Sequence, residues 1–380
     1  MRLDAKGESE STPLELNRAE QRRPSGIRLA GSPLYRSWKR RAVLVTGGLV
    51  TLALVLLWCS TIGAVSVPLG DALSIIWNHT LGKIFPPFSE TYSQGHDSII
   101  WDVRVPRVLL AGVVGASLAS AGATYQGLFR NPLAEPYLVG VAQGAAVGAV
   151  VALVLPLPLF LYSAGAVQWM AFAAAAVTVT AVYGLARVGG RVPTTTLLLA
   201  GIAIGSLATA FTSLLTYLNA DKLVTVYSWL LGGFNLSSWD KLLQTLPYII
   251  VGLTLVNLYG RRLNVLQLGE EQASNLGLNV EALKLVLVLA ATLMTAAAVS
   301  VSGIIGFVGL VAPHTVRLLT GNDHRLLLPL SAIFGATFMV LADMLARTLT
   351  QSEVPVGIIT AFAGAPFFIY LLRRKKRMVF

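Results

Sequence analysis

The chain has 380 residues, of which 55% are hydrophobic and only 12% are charged. A soluble globular protein has about 25% charged residues, so this composition cannot cover a water-exposed surface of this size. It excludes an ordinary soluble enzyme and a wholly disordered chain. The single cysteine, Cys59, excludes an internal disulfide and a cysteine cluster that holds zinc or iron–sulfur within one chain.

Long windows without charged residues predict membrane spans, because a helix that crosses the bilayer needs about 20 apolar residues. We predict ten spans, with two in each of the double-length windows 136–186 and 285–316. These windows should break at the prolines of 155–158 and at the Ser-Val-Ser-Gly sequence of 300–303. The windows are residues 42–62, 108–129, 136–186, 192–220, 242–260, 285–316, 326–342 and 354–372.

The basic residues are distributed unevenly between the two sides of these spans. If the N-terminus is cytoplasmic and the spans alternate, 23 of the 29 Lys and Arg residues fall on the cytoplasmic side. This is the positive-inside pattern, so the net charge of +11 needs no nucleic-acid partner. Nine further spans favour an uncleaved first helix over a signal peptide. The predicted regions are a disordered cytoplasmic extension (1–41), a transmembrane domain (42–372) with an extracytoplasmic loop (63–103), and a basic cytoplasmic tail (373–380).

No set of residues predicts a catalytic site. The sequence has no Ser/His/Asp arrangement in a plausible order, no paired carboxylates in the middle of a span, and four scattered histidines. It also lacks the Gly-x4-Gly-Lys-Ser/Thr phosphate-binding motif, so energy for uphill transport must come from another chain. Asp343 and Arg347 are four residues apart near a span end, where an ion pair is favoured over a proton relay.

One predicted cytoplasmic segment, 261–283, indicates a protein partner. Gly269 can break the chain, and residues 270–276 can form a short helix whose N-terminal end suits Glu270 and Glu271. A helix this short is marginal alone in water. It would be stabilised by docking into a groove on another protein, although an ordinary solvated loop is the alternative.

Nine motifs, in order, resemble those of bacterial FecCD-type permeases, the membrane subunits of ATP-binding-cassette (ABC) importers for haem, vitamin B12 and ferric siderophores. The resemblance covers about residues 65–375. It begins with Arg104-Val-Pro-Arg107, includes Gly306-Phe-Val-Gly-Leu-Val-Ala-Pro-His314, and ends with Pro355-Val-Gly-Ile358. It implies an all-α fold, a type II ABC importer permease with about ten transmembrane helices.

The resemblance also implies roles for individual residues. The coupling helix that enters a cleft of the ATPase corresponds here to about 268–278, with both glutamates exposed. Its residues are Leu268, Gly269, Glu270, Glu271, Ala273, Leu276 and Gly277. Arg104, Arg107 and Arg347 are expected to meet acidic residues of a substrate-binding protein. The residues expected to form a cytoplasmic gate are Asn131, Leu133, Thr194 and Thr195.

The implied assembly has two permease chains, two ATPases that hold ATP and magnesium, and one periplasmic or lipid-anchored binding protein. This chain is expected in the inner membrane with both termini cytoplasmic, and to carry no catalytic residue, cofactor or metal of its own. It is expected to pair with a second copy of itself, although some siderophore systems of this family pair two different permeases. It departs from the family in its N-terminal extension and in an outer insertion that includes Phe85-Pro-Pro-Phe88. Haem, a corrinoid and a ferric siderophore all remain possible substrates. The rival functions are an ion-gradient-driven transporter, a membrane-embedded lipid enzyme and a structural membrane protein.

Overall fold

The computed structural model describes residues 33–376 except 64, 83 and 85–91. These residues are mostly helical, and their only extended pairing is an isolated bridge between Val188 and Arg191. The all-α prediction is therefore confirmed. The chain divides into two compact units, Met1–Leu44 and Val45–Phe380, and the contacts described below belong to the second.

Sixteen α-helices occur in the described residues. They are α1 (Pro33–Thr61), α2 (Leu69–Thr80), α3 (Gln94–Asp97), α4 (Val105–Leu128), α5 (Val141–Val154), α6 (Leu159–Ser163), α7 (Ala166–Ala186), α8 (Thr194–Leu218), α9 (Leu223–Leu230), α10 (Trp239–Leu258), α11 (Gly260–Leu266), α12 (Glu270–Asn275), α13 (Val280–Ser302), α14 (Val308–Thr320), α15 (His324–Ala346) and α16 (Val356–Lys376). A π-helical turn (Ser98–Arg104) joins α3 to α4, and 3-10 turns precede α5 (Pro136–Val139) and α9 (Ala220–Lys222).

The helices match the ten predicted spans. Seven stretches of the described chain are long and apolar enough to cross a membrane, and α5 and α16 contribute shorter apolar helices. The remaining span, the second one predicted in window 285–316, forms α14, which has 13 residues. Both predicted breaks are confirmed, because α5 ends before the prolines at 155–158 and α13 ends at Ser302.

The structure shows helix in parts of three predicted regions: the N-terminal extension, the loop and the tail. The first helix begins at Pro33, within the stretch predicted to be disordered, and the rest of that stretch lies outside the described residues. Much of the loop predicted at 63–103 is helical, and a continuous helical run extends from Gln94 to Leu128. The last helix runs to Lys376, into the predicted tail. The motif at 85–88 lies outside the described residues.

Close glycine contacts hold the central helix, α4, against its neighbours. Nearly all of α4 is buried. A Cβ atom on Gly122 would collide with the backbone carbonyl of Gly309 in α14, and one on Gly115 would collide with that of Gly335 in α15. α5 packs against α7 in the same way, since a Cβ on Gly148 would meet the carbonyl of Met170. Backbones that approach this closely give a tightly packed bundle.

Candidate functional site

The short helix predicted after Gly269 is present as α12. Gly269 has φ 119° and ψ 151°, a conformation that is open essentially to glycine alone, and it turns the chain into the helix. Ala273 is the buried residue of α12, whereas Leu268 before the helix and Leu276 after it are 58% and 67% exposed. Gly277, with φ 84°, ends the turn that follows. The segment therefore presents two leucines that the described part of this chain leaves uncovered.

A buried lysine at the start of α13 fixes α12 in place. Lys284, only 4% exposed, donates from Nζ to Glu270 Oε2 at 2.7 Å and to Glu281 Oε1 at 3.3 Å. We expected both glutamates of α12 to be exposed. Glu271 is exposed, but Glu270 is half-buried because it forms this ion pair. Glu270 therefore anchors α12 within the chain.

The same lysine reaches the loop that leads into α8. Lys284 Nζ also donates to the carbonyl of Val192 at 3.0 Å, and the Val192 amide donates to Glu281 Oε2 at 3.0 Å. Thr194 and Thr195, predicted as gate residues, follow directly in the first turn of α8. We call Lys284, Glu270, Glu281 and the Val192 backbone the lysine brace.

The other predicted gate segment lies next to α12. Asn131 Oδ1 accepts a hydrogen bond from the Leu133 amide at 2.9 Å, which is the local turn expected from the sequence, and both residues are exposed. Gln267, just before Gly269, donates to the carbonyl of Gly127 at 2.7 Å. The structure thus brings the Asn131 turn close to the chain that enters α12.

Two irregular segments contact each other: residues 129–140, which precede α5, and residues 303–307, which precede α14. These helices have 14 and 13 residues, so each is about 20 Å long and too short to cross a hydrocarbon core of about 30 Å. Tyr137 Oη donates to the carbonyl of Ile305 at 2.7 Å, and the Phe307 amide donates to Glu135 Oε1 at 3.2 Å. Irregular backbone at membrane depth must be covered by protein or face a water-filled cavity.

A polar groove of about 470 Å³ adjoins these segments along α8. Its floor includes Tyr137 and Gln143, and its α8 side carries Ser206, Thr209 and Ser213. The Gln143 Oε1 atom is buried without a hydrogen-bond partner in the described structure. Exposed polar groups along a membrane helix are poorly matched to lipid tails, so this face of α8 suits water or another protein.

The three arginines predicted to dock a binding protein lie at the opposite end of the helices from the lysine brace. Arg107 donates to Asp343 from Nη2 at 2.8 Å and to Glu353 from Nη1 at 2.8 Å. Arg347 donates to the Cys59 carbonyl at 2.5 Å, and its Nε lies 3.7 Å from Asp343. Arg104 donates to the carbonyls of Thr61 (2.7 Å) and Val65. We call Arg104, Arg107, Arg347, Asp343 and Glu353 the arginine cluster.

The burial of these arginines limits their direct contact with an external protein. All three side chains are buried, whereas the sequence predicted arginines that face an external protein. The predicted pair of Asp343 and Arg347 exists, but the shorter and better aligned partner of Asp343 is Arg107 on α4. Arg347 Nε has no hydrogen-bond partner in the described structure. The cluster contains three guanidinium groups and two carboxylates, so one positive charge is not matched within it.

Comparison with known proteins decides the family. The FecCD transport family profile matches residues 50–374 of the chain. The chain belongs to the FecCD transport family.

Relatives within the FecCD family and a solved structure agree with this assignment. The cobalamin import system permease protein BtuC of Halobacterium salinarum is 48% identical over 73% of this chain and 74% of its own length. The hemin transport system permease protein HmuU of Yersinia pestis is 42% identical over 78% of this chain and 90% of its own. A structure described as an inward-facing metal-chelate type ABC transporter matches with a TM-score of 0.74 and 30% identity, covering 87% of this chain and 98% of that one. This FecCD chain is a multi-pass permease subunit of an ABC importer.

Sequence reasoning missed several residues of the FecCD chain that the structure brings together. Lys284 was counted from the sequence only as one of the cytoplasmic positive charges. Glu281 lies three residues earlier, and this spacing favours an ion pair on a helix. Nothing local in the sequence indicated that Glu135 and Tyr137 contact residues 305–307. Gln143, an amide inside an apolar window, was the available signal for the groove.

Proposed function

We propose that the chain pairs with a second copy of itself and with two ATPase chains that hold ATP and magnesium. The observation that carries this proposal is α12, a six-residue helix with exposed leucines at both ends. Exposed apolar side chains next to a helix too short to be stable alone favour a surface built for a partner. In this arrangement α12 docks into the ATPase and takes up its movement.

The translocation path is proposed to run along the polar groove of α8. The groove adjoins two irregular segments, which is the kind of backbone that membrane proteins tolerate where a path or a partner covers it. Large apolar side chains are exposed elsewhere on α8 and on α16, among them Phe211 and Phe362. A second copy that faces the groove would enclose a path between the two chains. The exposed turn at Asn131 and Leu133 and the threonines Thr194 and Thr195 would close its cytoplasmic end.

The proposed substrate is an iron complex or a corrinoid: haem, a ferric siderophore or vitamin B12. The relatives named for hemin and cobalamin support this class because each covers more than two thirds of this chain. The substrate is delivered by an external binding protein. We propose that an acidic residue of that protein approaches the arginine cluster near Arg347, since the cluster has one unmatched positive charge.

The proposed orientation has both termini in the cytoplasm. The bias of basic residues supports it, because α12 and the lysine brace then lie on the side where ATP is available. Ion-gradient transport is the competing function. The buried ionisable groups of the arginine cluster and the lysine brace are held in ion pairs near helix ends, which favours structural charges over an ion relay.

Uptake into proteoliposomes tests the proposal. Liposomes would hold this chain with its ATPase, and haem, cobalamin and a ferric siderophore would be offered on the binding protein. We expect ATP-dependent uptake of one of the three, and none with an ATPase that cannot hydrolyse ATP. Uptake that ignores ATP and follows an imposed proton or sodium gradient would overturn the proposal.

A further inference from the structure

Lys284 joins three separate parts of the chain through one buried charge. Its ammonium group bonds to Glu270 on α12, to Glu281 on α13 and to the carbonyl of Val192 in the loop before α8. An ammonium group has three N–H donors, so these acceptors use its full capacity. Within the described residues, the lysine is therefore a junction between the segment proposed to meet the ATPase and the helix that lines the groove.

The energetics of burial make this junction stiff. A charge with 4% of its residue surface exposed is costly unless its hydrogen bonds are complete. If α12 moves and the loop before α8 stays behind, at least one of the three bonds must break and leave a buried charge incompletely paired. The lower-energy course is for α12, the start of α13 and Val192 to move together.

The loop before α8 is built to follow such a movement. Val192 is held at both its carbonyl and its amide, by Lys284 and by Glu281. Just before it, Gly189 and Gly190 have φ values of 57° and 81°, and the space where their Cβ atoms would lie is empty. These two glycines form the tight turn between Val188 and Arg191, which exchange backbone hydrogen bonds of 2.8 and 3.1 Å. Val192 follows this paired turn and lies two residues before α8, so movement of Val192 passes directly into the first turn of α8.

We propose that Lys284 is the positioning residue that transmits movement of α12 to the cytoplasmic end of α8. This rests on the proposed function, because it requires that an ATPase drive α12. The role differs from that of a residue that only stabilises the bundle, since its loss should separate ATP hydrolysis from movement of α8.

Distance measurements between spin labels on the two copies test the transmission directly. The single native cysteine would be replaced (Cys59→Ser), and labels would be placed on exposed positions of α12 (Glu271→Cys) or α8 (Thr195→Cys) in the assembled complex. With Lys284 present, both label pairs should change separation when ATP binds. In Lys284→Met, the α12 pair should still respond and the α8 pair should not.

Transport measurements on unlabelled complexes provide the second readout. Lys284→Met should lower the substrate molecules imported per ATP hydrolysed by about tenfold or more, while ATP hydrolysis persists. Lys284→Arg, which keeps the charge and donors, should recover most of this ratio. Lys222→Met is the matched control, because Lys222 is exposed and forms no ion pair in the described structure. It should leave the ratio unchanged.

A second variant separates the two sides of the junction without removing the buried charge. Glu270→Ala removes both the charge and the acceptor on α12 and leaves Lys284 bonded to Glu281 and Val192. It should uncouple transport as Lys284→Met does, even if Lys284→Met assembles poorly. An unchanged import-to-ATP ratio in Glu270→Ala, or an α8 label pair that still responds in Lys284→Met, overturns the inference. Failure of the α12 labels to respond in the parent complex would instead overturn the proposed function.

Discussion

The arginine cluster and the lysine brace are both buried groups of charges, but they connect different kinds of structure. The arginine cluster joins α4 to the end of α15, two of the longest buried helices, through Arg107 and Asp343. The lysine brace joins the six-residue α12 and a loop to the start of α13. One cluster joins long helices of the bundle, and the other joins a short helix and a loop to the bundle.

This difference predicts which property each cluster controls when one of its charge pairs is removed. Breaking a charge pair between long buried helices opens the whole bundle, because those helices share one core. Breaking a pair between a short helix and a loop releases only a local unit, since such units open at lower free energy than the core. Stability should therefore depend mainly on the arginine cluster, and coupling to a partner on the lysine brace.

Replacement of Asp343 should have the largest effect on stability. Asp343 is 1% exposed and accepts from Arg107 Nε and Nη2 while facing Arg347. Asp343→Asn leaves two buried guanidinium groups without their carboxylate, which costs about 3–5 kcal/mol. We expect a large drop in melting temperature in detergent and a low yield of folded protein.

Glu353→Gln is the matched control for Asp343→Asn. Glu353 also bonds Arg107 at 2.8 Å, but its side chain is 38% exposed, so solvent screens the pair and its loss should cost about 1 kcal/mol or less. Equal melting temperatures for the two variants would contradict the view that the buried pair holds the bundle together.

A change at Gly269 should have a medium and local effect. Gly269→Ala forces an alanine into φ 119°, ψ 151°, at a cost of about 1–3 kcal/mol in the turn before α12. We expect weaker binding to the ATPase, by about tenfold, with a melting temperature close to that of the parent. Co-purification with the ATPase and thermal unfolding measure the two quantities.

Gly70→Ala provides the comparison for Gly269→Ala. Gly70 lies in the first turn of α2, has ordinary helical φ and has no atom near the place of its Cβ. It should change neither quantity. If Gly269→Ala instead lowers the melting temperature as far as Asp343→Asn does, α12 belongs to the same cooperative unit as the core.

The fold was predictable from the sequence because the membrane imposes a strong local rule. Uncharged windows of about 20 residues gave the ten helices, and the prolines after Val154 and the sequence after Val299 gave the breaks inside the long windows. The rule weakens where helices depart from full spans. The irregular 303–307 segment carries no charge, so nothing in the sequence marks where the loop ends and the short α14 begins.

The candidate sites were only partly predictable, because the partners of buried charges are set by tertiary structure. The helix at α12 followed from Gly269 and the two glutamates next to it. The partners Lys284–Glu270 and Arg107–Asp343 are 14 and 236 residues apart, and no local periodicity connects them. For this reason the arginines, expected to face outward, turned out to be buried among carboxylates and carbonyls.

The smallest expected effect concerns Asp323, which lies at the same end of the helices as the lysine brace. Asp323 caps α15 by accepting from the Arg325 amide at 3.1 Å, and it also accepts from Asn264 at 2.7 Å and from the Arg325 guanidinium at 2.8 Å. The hydrogen bonds from Arg325 hold the pKa of Asp323 well below its usual range. Asp323→Asn keeps a residue suited to a helix cap and loses the ion pair, so it should cost less than about 1 kcal/mol.

The pH dependence of this cost distinguishes the ion pair from the cap. The carboxyl of Asp323 has a lower pKa in the folded chain than its value of about 3.9 when unfolded. Its stabilising effect is therefore complete above about pH 5 and is lost as the pH falls further. The gap in melting temperature between the parent and Asp323→Asn should be constant from pH 8 to about pH 5 and then narrow. If the gap in melting temperature stays the same at low pH, the interaction lost in Asp323→Asn is not ionic. Asp323 would then stabilise the chain only as the cap of α15.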